Sequence, residues 1–236
     1  LTTTETNLDR LAALDPAFAQ LVGATAKYVR AIPELTDREK TFLCVTADVC
    51  QASLGLAFSA HVRTGLAAGV STSDVRELLR FVSYDCGYHA ATAGIERIAE
   101  LERELGIDPE LPAPEPLPDG PSPLPAEVRT RLDELDPHFT GFFDLQSRMR
   151  AGHGPGTLSE RERGLVSLSV DVHYQTLEDT LRIHVGRALR GGASPDDVRA
   201  ALRFNAQFGV TRAWHAWEAL NPILDQPRTS PASRAR

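Results

Sequence analysis

Leu35-Thr36-Asp37-Arg38-Glu39-Lys40 returns as Leu158-Ser159-Glu160-Arg161-Glu162-Arg163, and the match runs without a gap from Leu35 to Phe81 against Leu158 to Phe204. About 17 of about 47 aligned positions are identical, which chance does not produce in a single register. The identities pair Asp48 with Asp171, His61 with His184, Gly69 with Gly192, and Asp74-Val75-Arg76 with Asp197-Val198-Arg199. Upstream, Arg10-Leu11, Leu14-Asp15-Pro16 and Phe18 recur as Arg131-Leu132, Leu135-Asp136-Pro137 and Phe139. The chain is therefore a unit written twice, with residues 1–110 as the first repeat and 127–222 as the second. Residues 111–126 carry a proline at nearly every second position from Pro112 to Pro125, which bars a helix and favours an extended, semi-rigid connector. The stretch from Asn221 is rich in Pro, Ser and Arg, and residues 223–236 are expected to form a loose tail.

Each repeat reads as helices. Thr36 and Ser159, with Glu39 and Glu162 three residues on, have the pattern of a capping box. Apolar positions then follow at helical spacing through Phe42, Val45 and Val49, and through Leu165, Leu168 and Val172. Ser53 and Thr176 are expected to cap a second helix, which carries His61 or His184 and stops at Gly69 or Gly192. Ser71 and Ser194 open a third, with Pro195 in the first turn of the copy. No segment alternates as a strand does. The fold class expected is all-α.

Composition narrows the function. A 236-residue chain can bury a core without staples. Its net charge of −7 argues against a nucleic-acid partner, since binding phosphates takes a concentrated basic surface. No apolar run approaches the ~20 residues of a membrane helix, so no membrane partner is expected. Leu1-Thr2-Thr3-Thr4-Glu5 has neither region of a signal peptide. Three cysteines, Cys44, Cys50 and Cys86, without a C-x-x-C pair fit a reduced, cytoplasmic setting and offer no zinc site.

Leu-[Thr/Ser]-x-Arg-Glu, a helix with a single His, and then [Ala/Gly]-Gly-[Val/Ala]-Ser-x-x-Asp-Val together resemble the carboxymuconolactone decarboxylase family. That family shares a helical fold with the alkylhydroperoxidase D-like proteins. The resemblance covers about residues 35–105 and 158–220. It implies two tandem helical repeats packed as a pseudo-dimer and a homo-oligomer, a trimer of two-repeat chains being favoured. It also implies a lyase that works on a small-molecule substrate without metal, flavin or nicotinamide. The best-known family reaction takes carbon dioxide from 4-carboxymuconolactone. Such chemistry needs a cation for the carboxylate and a group that moves a proton at carbon. The peroxidase branch instead uses a C-x-x-C pair at the start of the histidine helix; this chain has Leu54 and Ala57 there, and Leu177 and Thr180 in the copy. Peroxidase chemistry of that kind is not expected.

The candidate catalytic residues are His61 and His184, which fall on the family's histidine position. Asp48 and Asp171 are expected either to orient those histidines or to bond a helix end or an Arg. Two residues on, the repeats diverge to Cys50 and His173, giving the sets His173/Asp171/His184 and Cys50/Asp48/His61. Cys50 reads as a nucleophile or as a small buried apolar residue. His89 and Trp214 are candidate pocket residues, and Arg63, Arg182, Arg187 and Arg212 candidate carboxylate clamps. The function expected is cofactor-free acid/base chemistry on a small organic acid or lactone, in aromatic catabolism or specialised biosynthesis. The alternatives are a non-catalytic ligand-binding protein on the same fold, and a thiol redox enzyme acting through Cys50 or Cys86.

Overall fold

The computed structural model describes residues 7–113, 116, 119–152 and 158–225. These residues form twelve α-helices and no strand. In the first half they are α1 (Asn7–Leu14), α2 (Pro16–Arg30), α3 (Asp37–Cys50), α4 (Leu56–Ala67), α5 (Thr72–Cys86) and α6 (Tyr88–Leu105). The second half gives α7 (Ala126–Leu135), α8 (Pro137–Gly152), α9 (Glu160–Tyr174), α10 (Asp179–Arg190), α11 (Pro195–Asn205) and α12 (Val210–Asp225), with a 3₁₀ turn at Ala206–Phe208. The fold is all-α, as the periodicity requires. Among the described residues no helix is long and apolar enough to cross a membrane.

The described chain divides into two compact units that do not follow the sequence repeats: residues 1–71 with 159–236, and residues 72–158. In the second unit α5 packs on α6 and α7 on α8. Arg76 donates to both oxygens of the buried Glu102 at 3.0 and 2.5 Å. Arg150 lies over the rings of Phe81 and Tyr84 and pairs with Asp85 at 2.9 Å.

The first unit is built around α3 and α9, the same segment of the two repeats. Both begin with complete capping boxes, Thr36 with Glu39 and Ser159 with Glu162. Each carboxylate spends one oxygen on its own helix start and the other on the opposite repeat. Arg38 Nε donates to Glu162 Oε1 at 2.7 Å, and Arg161 Nε donates to Glu39 Oε1 at 2.6 Å. Since Arg38 aligns with Arg161 and Glu39 with Glu162, the two contacts are one contact made reciprocally, as an isologous twofold interface makes it. The repeats thus pack as a pseudo-dimer about α3 and α9. Leu43, Leu165, Leu168, Leu181, Val185, Leu202 and Leu220 form the buried apolar core of this unit.

The histidine helices press against these two with a matched exchange of bulk. A Cβ on Gly65 would lie 2.4 Å from Thr41 Cγ2, whereas a Cβ on Gly164 would lie 2.4 Å from the Cα of Ala188. Gly65 aligns with Ala188 and Thr41 with Gly164, so each repeat places its one small residue on the opposite helix. A side chain can swing away and a backbone cannot. Gly164→Ala is therefore expected to lower stability by about 1–3 kcal/mol, more than Gly65→Ala. In denaturant titrations, Thr41→Gly combined with Gly65→Ala, which writes the second repeat's pair into the first, is expected to lose less than Gly65→Ala alone. Equal losses for the two glycine variants would contradict this account.

Three local expectations are corrected. Ser53 and Thr176 do not cap helices, because α4 and α10 start later, after Gly55 and Glu178, with no side-chain cap. Ala52 (φ 53°) and Gln175 (φ 58°) instead turn left-handed at aligned positions, and the backbone N–H of Ser53 and of Thr176 closes onto the carbonyls of Asp48 and Asp171. That is the 6→1 bond of a Schellman end, not a helix start. Lastly, Asn221 to Asp225 belong to α12, with Pro222 inside the helix. Gly69 (φ 88°) and Gly192 (φ 96°) do end their helices left-handed, and Ser194 caps α11 with Pro195 in its first turn.

Candidate functional site

The Schellman ends of α3 and α9 hold the two aspartates in place just as the histidine helices pass over them. His61 Nδ1 donates to Asp48 Oδ2 at 2.7 Å, and His184 Nδ1 donates to Asp171 Oδ2 at 2.6 Å. In the second repeat the hydroxyl of Thr176 also donates to Asp171 Oδ1 at 2.7 Å. Of the two roles open to these aspartates from sequence, the histidine contact is the one formed. The aspartate side chains are almost wholly buried, 5% and 3% exposed, and an ion so placed requires such a partner.

The pairs differ in access. The His61 side chain is 26% exposed against 12% for His184. His61 opens onto a cavity of about 440 Å³ whose wall also includes Arg30 of α2, Asp37, Lys40 and Cys44 of α3, Phe204 of α11 and Gln207 of the 3₁₀ turn. The first repeat's pair is thus roofed by the second repeat. Lys40 Nζ is anchored by donating to the Arg30 carbonyl at 2.8 Å. Burial works against a charge on His61, but the Cys44 sulfur and the Asp48 carboxylate outweigh it and push the imidazole up to about 10. Burial likewise raises the Asp48 carboxyl, against the pull of His61. His61 is then a proton donor at neutral pH.

His173 lies across Phe208 from His61. The Phe208 ring meets His61 edge-on at 6.2 Å between centroids and His173 at 5.8 Å. His173 is 6% exposed, and neither ring nitrogen completes a hydrogen bond, although Asn205 is near enough to favour the charged form slightly. Burial first, and then the charge of Arg212, lower its pKa to about 4.

These two histidines load the fold oppositely with pH. His61, raised from 6.5 to about 10, contributes stability that is complete below pH 6.5 and is lost as pH climbs through 10. His173, lowered from 6.5 to about 4, contributes stability that is complete above pH 6.5 and is lost as pH falls through 4. Melting temperatures from pH 4 to 10 should show His61→Gln flattening the alkaline arm and His173→Asn the acid arm. A parent-like alkaline arm in His61→Gln would count against the protonated assignment.

The remaining candidates are dispersed. Cys50 is half-buried at the end of α3, and no hydrogen bond joins His173 to Asp171 or His184. Arg63, Arg187 and Arg212 lie off the cavity wall, Arg187 beside Glu160 at 3.7 Å and Arg212 donating to Gln51 and to the Phe208 carbonyl. Arg182 is exposed on α10. Trp214 is 65% exposed and donates to Glu218, and His89 is exposed at the start of α6. His138 is exposed on α8, and His153 lies outside the described residues. The cations that do face the cavity, Lys40 and Arg30, and its thiol, Cys44, were not among the candidates. One signal for Cys44 was available: it precedes Asp48 by four residues and so shares its helix face. Among the described residues no three His, Cys, Asp or Glu side chains gather as metal ligands.

Two helical repeats are thus joined through their capping-box helices, each with an Asp–His pair at its second helix. Residues 139–222, most of the second repeat, match the model of the carboxymuconolactone decarboxylase family. The chain is similar in fold to a crystal structure from Burkholderia xenovorans provisionally named a gamma-carboxymuconolactone decarboxylase subunit. That likeness has a TM-score of 0.55 at 22% identity and covers 92% of this chain and 88% of the other. No curated protein matches the sequence.

Proposed function

We propose that the protein is a lyase that carries out proton-transfer chemistry on a small carboxylate or lactone in the first-repeat cavity. The observation that carries this reading is the Asp48–His61 pair at the wall of a cavity that also holds Lys40 and Arg30. Asp48 fixes the ring by accepting from Nδ1, which leaves Nε2 as the nitrogen that exchanges a proton with substrate. The two cations attract the carboxylate. When carbon dioxide leaves, the bonding pair stays on carbon, an adjacent carbonyl holds it as an enolate, and the His61 imidazolium returns a proton. None of these steps calls on a metal or an organic cofactor.

The second repeat serves as scaffold in this reading, its His184 more enclosed and its Phe204 and Gln207 lent to the first. The wider setting, aromatic catabolism or specialised biosynthesis, and assembly as a trimer of two-repeat chains belong to the same proposal. The test is a metal-free assay of the full chain with 4-carboxymuconolactone, following loss of substrate. Turnover that disappears in His61→Ala supports the reading. A chain that binds the lactone saturably without consuming it is the ligand-binding protein instead.

A further inference from the structure

Nδ1 of His61 is committed to Asp48, and Cys44, on the wall of the same cavity, is close enough to the imidazole to favour its charged form. Cys44 and Asp48 are one turn apart on α3, so both project toward the ring from the same face. Nε2 is the ring nitrogen not bonded to Asp48. Cys44 also forms part of the cavity wall with His61, Lys40 and Arg30. The second repeat has a hydroxyl at the aligned position, Ser167, four residues before Asp171, and there Ser167 is wholly buried. The thiol therefore stands in the repeat whose histidine meets the cavity. Cys50, the cysteine expected to matter, lies six residues along the helix on another face.

We propose that Cys44 is a nucleophile of this site, adding to the electron-poor carbon of a small α,β-unsaturated carboxylate or lactone while His61 and Asp48 manage its proton. The inference rests on the acid/base reading of the same cavity and adds a covalent step to it. Sulfur and Nε2 share one proton. With that proton on Nε2, the sulfur lone pair forms a C–S bond at the β-carbon, and the C=C π pair moves to the α-carbon as an enolate. Nε2–H then protonates the α-carbon. The sum is addition of S and H across the double bond, without oxidant or co-reactant, and elimination reverses it. Lys40 and Arg30, against the single carboxylate of Asp37 4.0 Å from Lys40, leave net positive charge among the lining side chains to draw the carboxylate end of such a molecule. The high pKa of His61 agrees with a proton resting on the imidazole between sulfur and substrate.

The probe is (E)-3-acetylacrylate, with its methyl ester as the uncharged control, incubated with the full chain and mapped by peptide mass. Each rate is normalised to that of a free thiol. The expected result is one adduct at Cys44, formed about tenfold faster than at Cys50 or Cys86. The acid should be preferred over the ester in the parent and not in Lys40→Met, and His61→Gln should slow labelling about tenfold. Labelling of Cys44 no faster than of Cys86 overturns the proposal. Cys44→Ser, which gives the first repeat the residue of the second, separates the two readings once its melting temperature is shown to match the parent. Lactone turnover kept in Cys44→Ser but lost in His61→Ala sinks the covalent step and leaves the acid/base reading standing. Loss in both, with Cys44 labelled selectively, supports both.

Discussion

His61→Ala is expected to lower kcat on the lactone about 10²–10⁴-fold, the usual worth of a positioned proton-transfer group. His184→Ala should stay within about threefold of the parent. The two histidines align and make the same bond to an aspartate, so a purely structural role predicts similar losses of stability and no difference in turnover. What separates them is access: the His61 side chain is 26% exposed beside a cavity, and that of His184 is 12% exposed. Asp48→Asn should fall between them, because an amide can still accept from Nδ1 but no longer favours the imidazolium. Steady-state kinetics of the three variants decide the matter. Equal losses for His61→Ala and His184→Ala would place a working site in each repeat.

The largest loss of stability is expected from Arg161→Ala. This guanidinium donates to Glu39 at 2.6 Å, to Asp197 at 2.7 Å and to the Glu34 carbonyl at 3.2 Å. Both carboxylates are the third-residue members of capping boxes, Glu39 opening α3 and Asp197 opening α11. Removing the arginine leaves two enclosed carboxylates without their cation and loosens two helix starts at once. The expected cost is about 2–3 kcal/mol, below the limit for a fully buried pair because the Arg161 side chain is a quarter exposed. Burial pushes the Asp197 carboxyl up, but the hydrogen bonds from Arg161 and Ser194 overcome it and hold the group below its ordinary 3.8. A lowered carboxyl contributes stability that is present above pH 3.8 and is lost as pH falls further. Urea titrations should therefore show the gap between parent and variant narrowing in acid. A midpoint shift as small as that of an ordinary surface substitution would mean that water replaces the arginine freely.

Much of the fold was legible because its signals are local. Thr36 with Glu39 and Ser159 with Glu162 cap their helices within one turn, and a left-handed stop at Gly69 or Gly192 needs only the absence of a Cβ. Ser53 and Thr176 misled for the same reason, since each has the chemistry of a cap but follows a left-handed residue that ends the preceding helix. That a non-glycine residue, Ala52 or Gln175, would take positive φ has no composition to announce it.

By itself the sequence determined the duplication, the helices, and the aspartate and histidine positions that return in the same register in both halves. Those follow from periodicity, capping chemistry and alignment, which need no knowledge of what packs on what. Only the tertiary structure decided that Arg38 and Arg161 exchange partners between repeats, that Phe208 touches both His61 and His173, and that His61 lines a cavity and is more exposed than His184. It also placed Lys40, Arg30 and Cys44 on the cavity wall with His61, away from Arg63, Arg187 and Arg212. Arginines are scattered along every helix, and which of them reaches a given carboxylate depends on the crossing of elements far apart in the chain. Solvent access is set in the same way, by the close approach that Gly65 and Gly164 allow and by the neighbour that closes over each pair.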